Sequence, residues 1–254
     1  MNQIQRIETR YFRVPLRDCL VDALHGTHTH FELITATVTM EDGTEGTGYT
    51  YTGGFGGAAI AKMIEADLTP LLIGQEVHSP EQMNDFMNQR IHYVARGGIA
   101  SFAISALDIA FWDAKLKREG LPLCRAFGRE PQPVRTYYGG IDLAFTQTQL
   151  LESLEAQLKR GHTAVKIKLG RPGDQEDLDR IRAVRQLIGD DALFLVDVNM
   201  VWDVEKAIRM ARRMEEFHIH WLEEPTNPDD YEGYARIAQV PLLYRPQSDR
   251  QSSQ

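Results

Sequence analysis

The chain has 254 residues, 43% hydrophobic, with 28 Lys and Arg against 36 Asp and Glu, for a formal net charge of −8. That length allows one large or two ordinary domains, and the acid excess argues against nucleic acid as a partner, which calls for a basic footprint. No apolar stretch approaches the roughly 18 residues of a membrane span, the first residues lack a signal core, and the two cysteines, Cys19 and Cys124, are far apart, so a cytoplasmic protein with reduced thiols is expected.

Taken in chain order, Ile34 to Met40 alternates apolar and polar residues, turns through Glu41-Asp42-Gly43 and resumes from Gly46 to Tyr51, which predicts a β-hairpin in an antiparallel sheet. Helical patterns follow over about 58–72, 80–94 and 99–117. The last has Phe102, Leu107, Ala110 and Phe111 near helical spacing, and Gly120 as its stop. Together these make an α+β unit over residues 1–125. From Val134 onward, apolar runs near Val134, Val165, Phe194, Ile219 and Pro241 alternate with helical stretches such as 177–188 and 204–214, the mark of parallel strands joined by helices. A closed (β/α)₈ barrel takes about 250 residues by itself. The fold expected is therefore an α+β capping domain (1–125), an incomplete α/β TIM-type (β/α) barrel (126–244), and an aberrant polar tail (245–254).

The chemistry concentrates at the ends of three apolar runs. Lys166 and Lys168 are two apart in a strand pattern and share one face, opposite Val165, Ile167 and Leu169. If that face is inward, the crowded ammonium groups depress at least one pKa toward that of a general base; if outward, they are solvated. Asp197 and Asn199 form a second pair two apart, suited to a hard cation, with capping of the following helix or turn by Asp197 as the lesser alternative. Glu223 and Glu224 point to opposite faces before Pro225, so one faces the strand-end cavity and the other makes a structural ion pair; the sequence alone does not choose between them. Two lysines followed by carboxylates are what magnesium-assisted carbanion chemistry requires.

Lys166-Ile167-Lys168, Val196-Asp197-Val198-Asn199, Trp221-Leu222-Glu223-Glu224-Pro225 continuing to Asp230-Tyr231-Glu232-Gly233, and the helix Ala103 to Ala114 occur here in one order. By these motifs the chain resembles the mandelate racemase/muconate lactonizing branch of the enolase superfamily. The resemblance implies a capped TIM-type barrel in which Lys168 moves the proton α to a substrate carboxylate and Lys166 tunes it. It further implies Mg²⁺ held by Asp197 and Glu223, with Asn199 and Glu224 in support. His25, His28 and Tyr51 would belong to the substrate lid, a role preferred for the His25-Gly26-Thr27-His28-Thr29-His30 stretch over a separate metal cluster. Gly53 to Gly57 would form a second lid segment rather than a phosphate loop. The partner implied is a small-molecule carboxylate, with no nucleic acid and no membrane, and association into a homo-oligomer through the capping domain.

The polar lid favours dehydration of a sugar acid. Two features depart from the family pattern: Arg245-Pro246 stands where a Gly-Glu would supply a third metal ligand, and the later Asp/His dyad is missing. The alternatives are therefore a catalytically inactive truncated remnant, or a racemase or epimerase if a full-length form exists.

Overall fold

A computed structural model of the chain describes residues 3–240, so the expected strand near Pro241, the Arg245-Pro246 departure and the polar tail lie outside the described residues. The chain divides into two compact units. Of the described residues, the first comprises 3–17 and 28–133, and the second 18–27 and 134–240.

The first unit is built on a three-stranded sheet in the order β1-β2-β3, with β1 (Ile4–Asp22), β2 (Gly26–Met40) and β3 (Glu45–Thr52). Strands β2 and β3 pair antiparallel, from Glu32 opposite Thr52 to Thr39 opposite Glu45, as the alternation of residues 34–40 requires. The expected helix at 58–72 is an α1 (Gly57–Lys62), π-turn (Met63–Leu68) and α2 (Thr69–Leu72) succession. Helix α3 (Pro80–Arg90) opens on a Ser79 cap whose hydroxyl accepts the Gln82 N–H at 3.2 Å. It ends before the Val94 expected, where the chain turns. Helix α4 (Gly98–Glu119) stops at Gly120, whose left-handed φ of 64° is open to glycine without strain.

The inward face of α4 is small, with Ala103, Ala106, Ala110 and Ala114 all buried. Facing them, Gly46 and Gly48 bring β3 so close that a Cβ on either would lie 2.0 Å from the carbonyl oxygen of Ala110 or Ala106. Helix and strand therefore meet backbone to backbone. Ile34, Ala36, Val38, Ile60, Ile64, Leu107 and Phe111 fill the surrounding core. Phe102, expected on the core face, is instead 44% exposed, because its place on the turn points away from the Ala103–Ala110 stripe. A short α5 (Leu123–Ala126) follows.

In the second unit four strands run parallel in the order β4-β5-β6-β7. They are β4 (Tyr138–Gly139), β5 (Ala164–Lys168), β6 (Leu193–Asp197) and β7 (Trp221–Glu223). The connections are α6 (Gln147–Lys159), α7 (Asp174–Ile188) and α8 (Val204–Arg213), with α9 (Tyr231–Ala238) after β7. The strand expected near Val134 is not there. Val134 is 80% exposed, and pairing begins only at Tyr138, opposite Val165.

Helices α6, α8 and α9 each start on a side-chain cap from Thr146, Asp203 or Asp230, which accepts the N–H of Gln149, Lys206 or Gly233. The core between strands and helices holds Leu150, Leu154, Val165, Ile167, Phe194, Val196, Ile181 and Met210. This is a capping domain followed by successive βα units of a TIM-type barrel. Among the described residues, no helix is long and apolar enough to cross a membrane.

Candidate active site

Parallel register brings the chemistry together. Lys168 at the end of β5 lies opposite Asp197 at the end of β6, and Asp197 lies opposite Glu223 at the end of β7. Lys166 and Lys168 do share the inward face, whereas Val165 and Ile167 are fully buried against the helices. Lys168 Nζ donates to Asp197 Oδ2 at 2.7 Å, and Lys166 Nζ donates to both oxygens of Glu223 at 2.8 Å while standing 3.6 Å from Asp197 Oδ2. Lys166 also lies over the Tyr137 ring, 5.2 Å from its centroid. Lys168 and Asp197 are withdrawn from water, Asp197 most completely, with 2% of its side chain exposed, whereas the Glu223 side chain keeps 29% of its surface open.

Packing changes one expectation about the lysines. Burial pushes the Lys166 ammonium down, but the Glu223 hydrogen bond, the charges of Glu223 and Asp197 and a Tyr137 contact outweigh it and hold the group above its ordinary value. Crowding by Lys168 does not dominate, because each amine has a carboxylate between itself and its neighbour.

Asn199 is not on the strand. β6 ends at Asp197, and Asn199 has a left-handed φ of 50°. Its N–H bonds Asp197 Oδ1 at 3.0 Å, so Asp197 caps the turn with one oxygen and meets Lys168 with the other. The capping role open to Asp197 is thus filled, and its second oxygen is taken by an ion pair with Lys168. Glu224, also at positive φ (45°), accepts the Asn199 Nδ2 donor at 3.3 Å. Among the described residues its hydrogen-bond partner is an amide rather than the cation expected, because the left-handed backbone turns it toward the β6 loop. The two loops are stitched by Val198 N–H to the Glu223 carbonyl at 3.1 Å and Met200 N–H to that of Glu224 at 2.7 Å.

By residue number the three lid candidates are divided between the two units. His25 sits in the turn after β1 within the second unit, where Asp22 Oδ1 accepts its backbone N–H at 2.6 Å and lies 3.1 Å from its Nδ1. His28 and Tyr51 belong to the first unit. His28 Nδ1 lies 3.2 Å from the Gly53 carbonyl oxygen, and Tyr51 meets Phe31 edge-on at 6.0 Å. Residues 28–30 are strand, not loop, since Thr27 to Phe31 continues the two-residue alternation of β2. His162 lies between α6 and β5, and His218 and His220 lie just before β7.

Sequence reasoning missed a buried polar network beneath β5. Asp142, after β4, accepts the Lys168 backbone N–H at 3.0 Å and an Arg180 Nη2 donor at 3.0 Å. Asp177 accepts the N–H groups of Gly170 and Arg171 at 3.0 and 3.3 Å, and Arg171 Nη2 holds the Leu143 and Phe145 carbonyls. Burial raises the pKa of both Asp142 and Asp177 and lowers that of Arg180, opposed by their mutual charges and by backbone donors. Asp142 and its partners Lys168 and Arg180 are 26 and 38 residues apart in sequence. The available signal was only the charge of Asp177 and Arg180 on a helix that also carries the buried Leu178, Ile181 and Val184.

The donors suit a divalent cation. Asp197 and Glu223 offer carboxylate oxygens, and Asn199 Oδ1 is buried without a hydrogen-bond partner among the described residues, an oxygen left over for such a ligand.

Paired lysines and carboxylates at the ends of successive parallel strands, after an α+β capping domain, are the arrangement of an enolase-type fold with part of a TIM-type barrel. Residues 6–128 match the mandelate racemase/muconate lactonizing enzyme N-terminal domain, and residues 149–245 match the enolase C-terminal domain-like family. The chain belongs to the mandelate racemase/muconate lactonizing enzyme family of the enolase superfamily.

It is 45% identical to the 3,6-anhydro-α-L-galactonate cycloisomerase of Streptomyces coelicolor over 92% of this chain and 65% of that protein, and so spans about two thirds of that relative's length. It is similar to the structure of a racemase from the same organism with bound magnesium, at TM-score 0.90 and 45% identity, covering 92% of this chain and 66% of that one. The L-talarate/galactarate dehydratase of Salmonella typhimurium, solved with Mg and L-lyxarohydroxamate, matches at TM-score 0.88 and 33% identity over 93% of this chain and 62% of that one.

Proposed function

We propose that the chain carries the proton-abstracting centre of a magnesium-dependent acid-sugar enzyme, acting in the cytoplasm as a homo-oligomer, with residues 1–125 capping the barrel portion 126–244. The observation that carries this is the in-register row of Lys168, Asp197 and Glu223 with Lys166 beside it, at separations of 2.7 to 3.6 Å. Lys168 removes the proton α to the substrate carboxylate, and Lys166 sets the local field. Asp197 and Glu223 would hold Mg²⁺, Asn199 and Glu224 would support them, and His25, His28 and Tyr51 contact the sugar acid. When bound, the cation supplies charge stabilisation for the carboxylate as negative charge develops on it, and offsets the carboxylate charge that raises Lys166.

Dehydration follows if the electron pair left at Cα expels the β-hydroxyl as water, with the amine of Lys168 returning the proton to the departing oxygen on the same face. A second reading is favoured by the 45% identity to a cycloisomerase: the same proton transfer with a ring oxygen as the departing group, so that the product is an isomer and no water is lost.

The test is exchange of the α-proton of galactarate in deuterated water, with Lys168→Ala beside the parent and magnesium titrated calorimetrically into both. Exchange and magnesium binding by the parent, with exchange lost in the variant, is the expected result. A variant that exchanges as fast as the parent removes Lys168 from the role, and no magnesium heat at millimolar metal refutes the enzymatic reading.

A further inference from the structure

We infer that Asp142 is a positioning residue for Lys168, with buried Arg180 as its countercharge; this rests on the role proposed above for Lys168. Asp142 and Arg180 are each 3% exposed, and the carboxylate of Asp142 bonds the Lys168 backbone and Arg180, while the Lys168 charge also acts on it. What Asp142 holds is the backbone. Its Oδ1 accepts the Lys168 N–H at 3.0 Å, at the last residue of β5, where the ladder to β4 has already ended at Gly139 opposite Lys166. β4 therefore gives Lys168 no further ladder bond, and a carboxylate takes the place of that strand's next acceptor.

Asp142 is itself fixed by Arg180 and by Val21. Arg180 Nη2 bonds its Oδ1 at 3.0 Å and its carbonyl at 3.2 Å, a parallel bridge pairs it with Val21, and the Leu143 N–H reaches the Val21 carbonyl at 3.3 Å. Arg180 also holds the Phe145 carbonyl at 3.0 Å. On the side facing β4, the direction in which the Lys168 side chain leaves the strand is thereby tied to a buried ion pair, while β6 holds the other side in register with Asp197. Misplacing a reacting group by about 1 Å can cost on the order of 10²-fold in rate, so this tether acts on turnover rather than on substrate affinity.

The test compares Asp142→Ala with the paired variant Asp142→Asn/Arg180→Gln. The pair keeps an acceptor for the Lys168 N–H and leaves no buried charge alone. In Asp142→Ala the galactarate exchange rate at saturation should fall roughly 10²-fold with KM within about threefold, and magnesium affinity should be kept, since Asp142 is no ligand. The Lys168 amide proton resonance should move upfield as its acceptor is lost. The paired variant should recover most of the rate and return the amide resonance.

Parent-like exchange in a folded Asp142→Ala variant overturns the inference, as does equal loss of rate, magnesium binding and amide shift in both variants, which would mean general structural collapse. If the parent itself does not exchange galactarate, the proposed function fails separately. The amide resonance and the Lys168 Nζ resonance, which reports its contact with Asp197, then decide the positioning claim: movement of both in Asp142→Ala and return in the paired variant sustains it, and an unmoved pair refutes it.

Discussion

Replacing Lys168 with Met removes one half of an ion pair whose side chains are 9% and 2% exposed and whose atoms meet at 2.7 Å. Breaking a buried pair from one side costs about 3–5 kcal/mol, because the remaining charge is left desolvated. Here Asp197 keeps Lys166 at 3.6 Å and the Asn199 N–H at 3.0 Å, so the cost should fall near the lower bound, about 3 kcal/mol. Asp197→Asn strips Lys168 of its carboxylate and Lys166 of one of its two, and should approach the upper bound. The double variant Lys168→Met/Asp197→Asn leaves Lys166 and Glu223 intact, and the two losses should overlap by about 2 kcal/mol. Urea unfolding in EDTA, followed by far-ultraviolet circular dichroism with a common slope, measures all four corners of the cycle. A coupling under about 0.5 kcal/mol would mean that the pair is solvated in solution and that the buried geometry reasoned from here is wrong. Adding magnesium supplies a control: it should raise the midpoint of the parent but not that of Asp197→Asn, since ligand binding stabilises only a chain that can bind.

Glu32 accepts from Tyr11 Oη, Thr52 Oγ1 and the Gly57 N–H, and the Tyr11 hydrogen bond above all holds its carboxyl below the ordinary glutamate range. A depressed folded-state pKa contributes stability that is present above the unfolded value and lost as pH falls through the folded one. Glu32→Gln should therefore cost about 1.5–3 kcal/mol at neutral pH, a gap that narrows as the pH is lowered through and below the ordinary glutamate range; a pH-independent gap in the denaturation midpoints would contradict the assignment. Gly48→Ala places a Cβ 2.0 Å from the Ala106 carbonyl oxygen, with backbone that cannot swing aside. At least the 1–3 kcal/mol typical of overpacking should appear in urea unfolding, and a neutral result would show that α4 stands further from β3 than described.

The strand ends were readable in the sequence because β5, β6 and β7 each carry an apolar run closed by a charge, and alternation alone puts Lys166 and Lys168 on one face. Convergence of those ends follows from parallel pairing, which the intervening helical patterns implied. Strand β4 was misplaced because only Tyr138 and Gly139 pair, too few to leave a pattern, while the exposed Val134 run imitated one. Local composition likewise suggested that two close lysines depress one another. The outcome at Lys166 depends on Glu223, 57 residues away, which no local window contains. The Asp142–Arg180 pair, separated by 38 residues, was hidden for the same reason. Helix α6 could have been found, since its Thr146 and Gln149 form a complete capping box.

Asn199, Met200 and Glu224 all hold left-handed backbone at φ of 50°, 66° and 45°. For side chains larger than glycine such conformations each cost on the order of 1–3 kcal/mol, least for asparagine. They persist because the loops after β6 and β7 clasp one another through the Met200 N–H and the Asn199 amide. Drift at these sites is consequently confined: a β-branched newcomer at 200 or 224 meets a prohibitive torsion whatever its polarity. The mouth of the barrel can vary its chemistry only through the few residue types that tolerate this bend, and homologues with altered specificity should carry their changes on other loops.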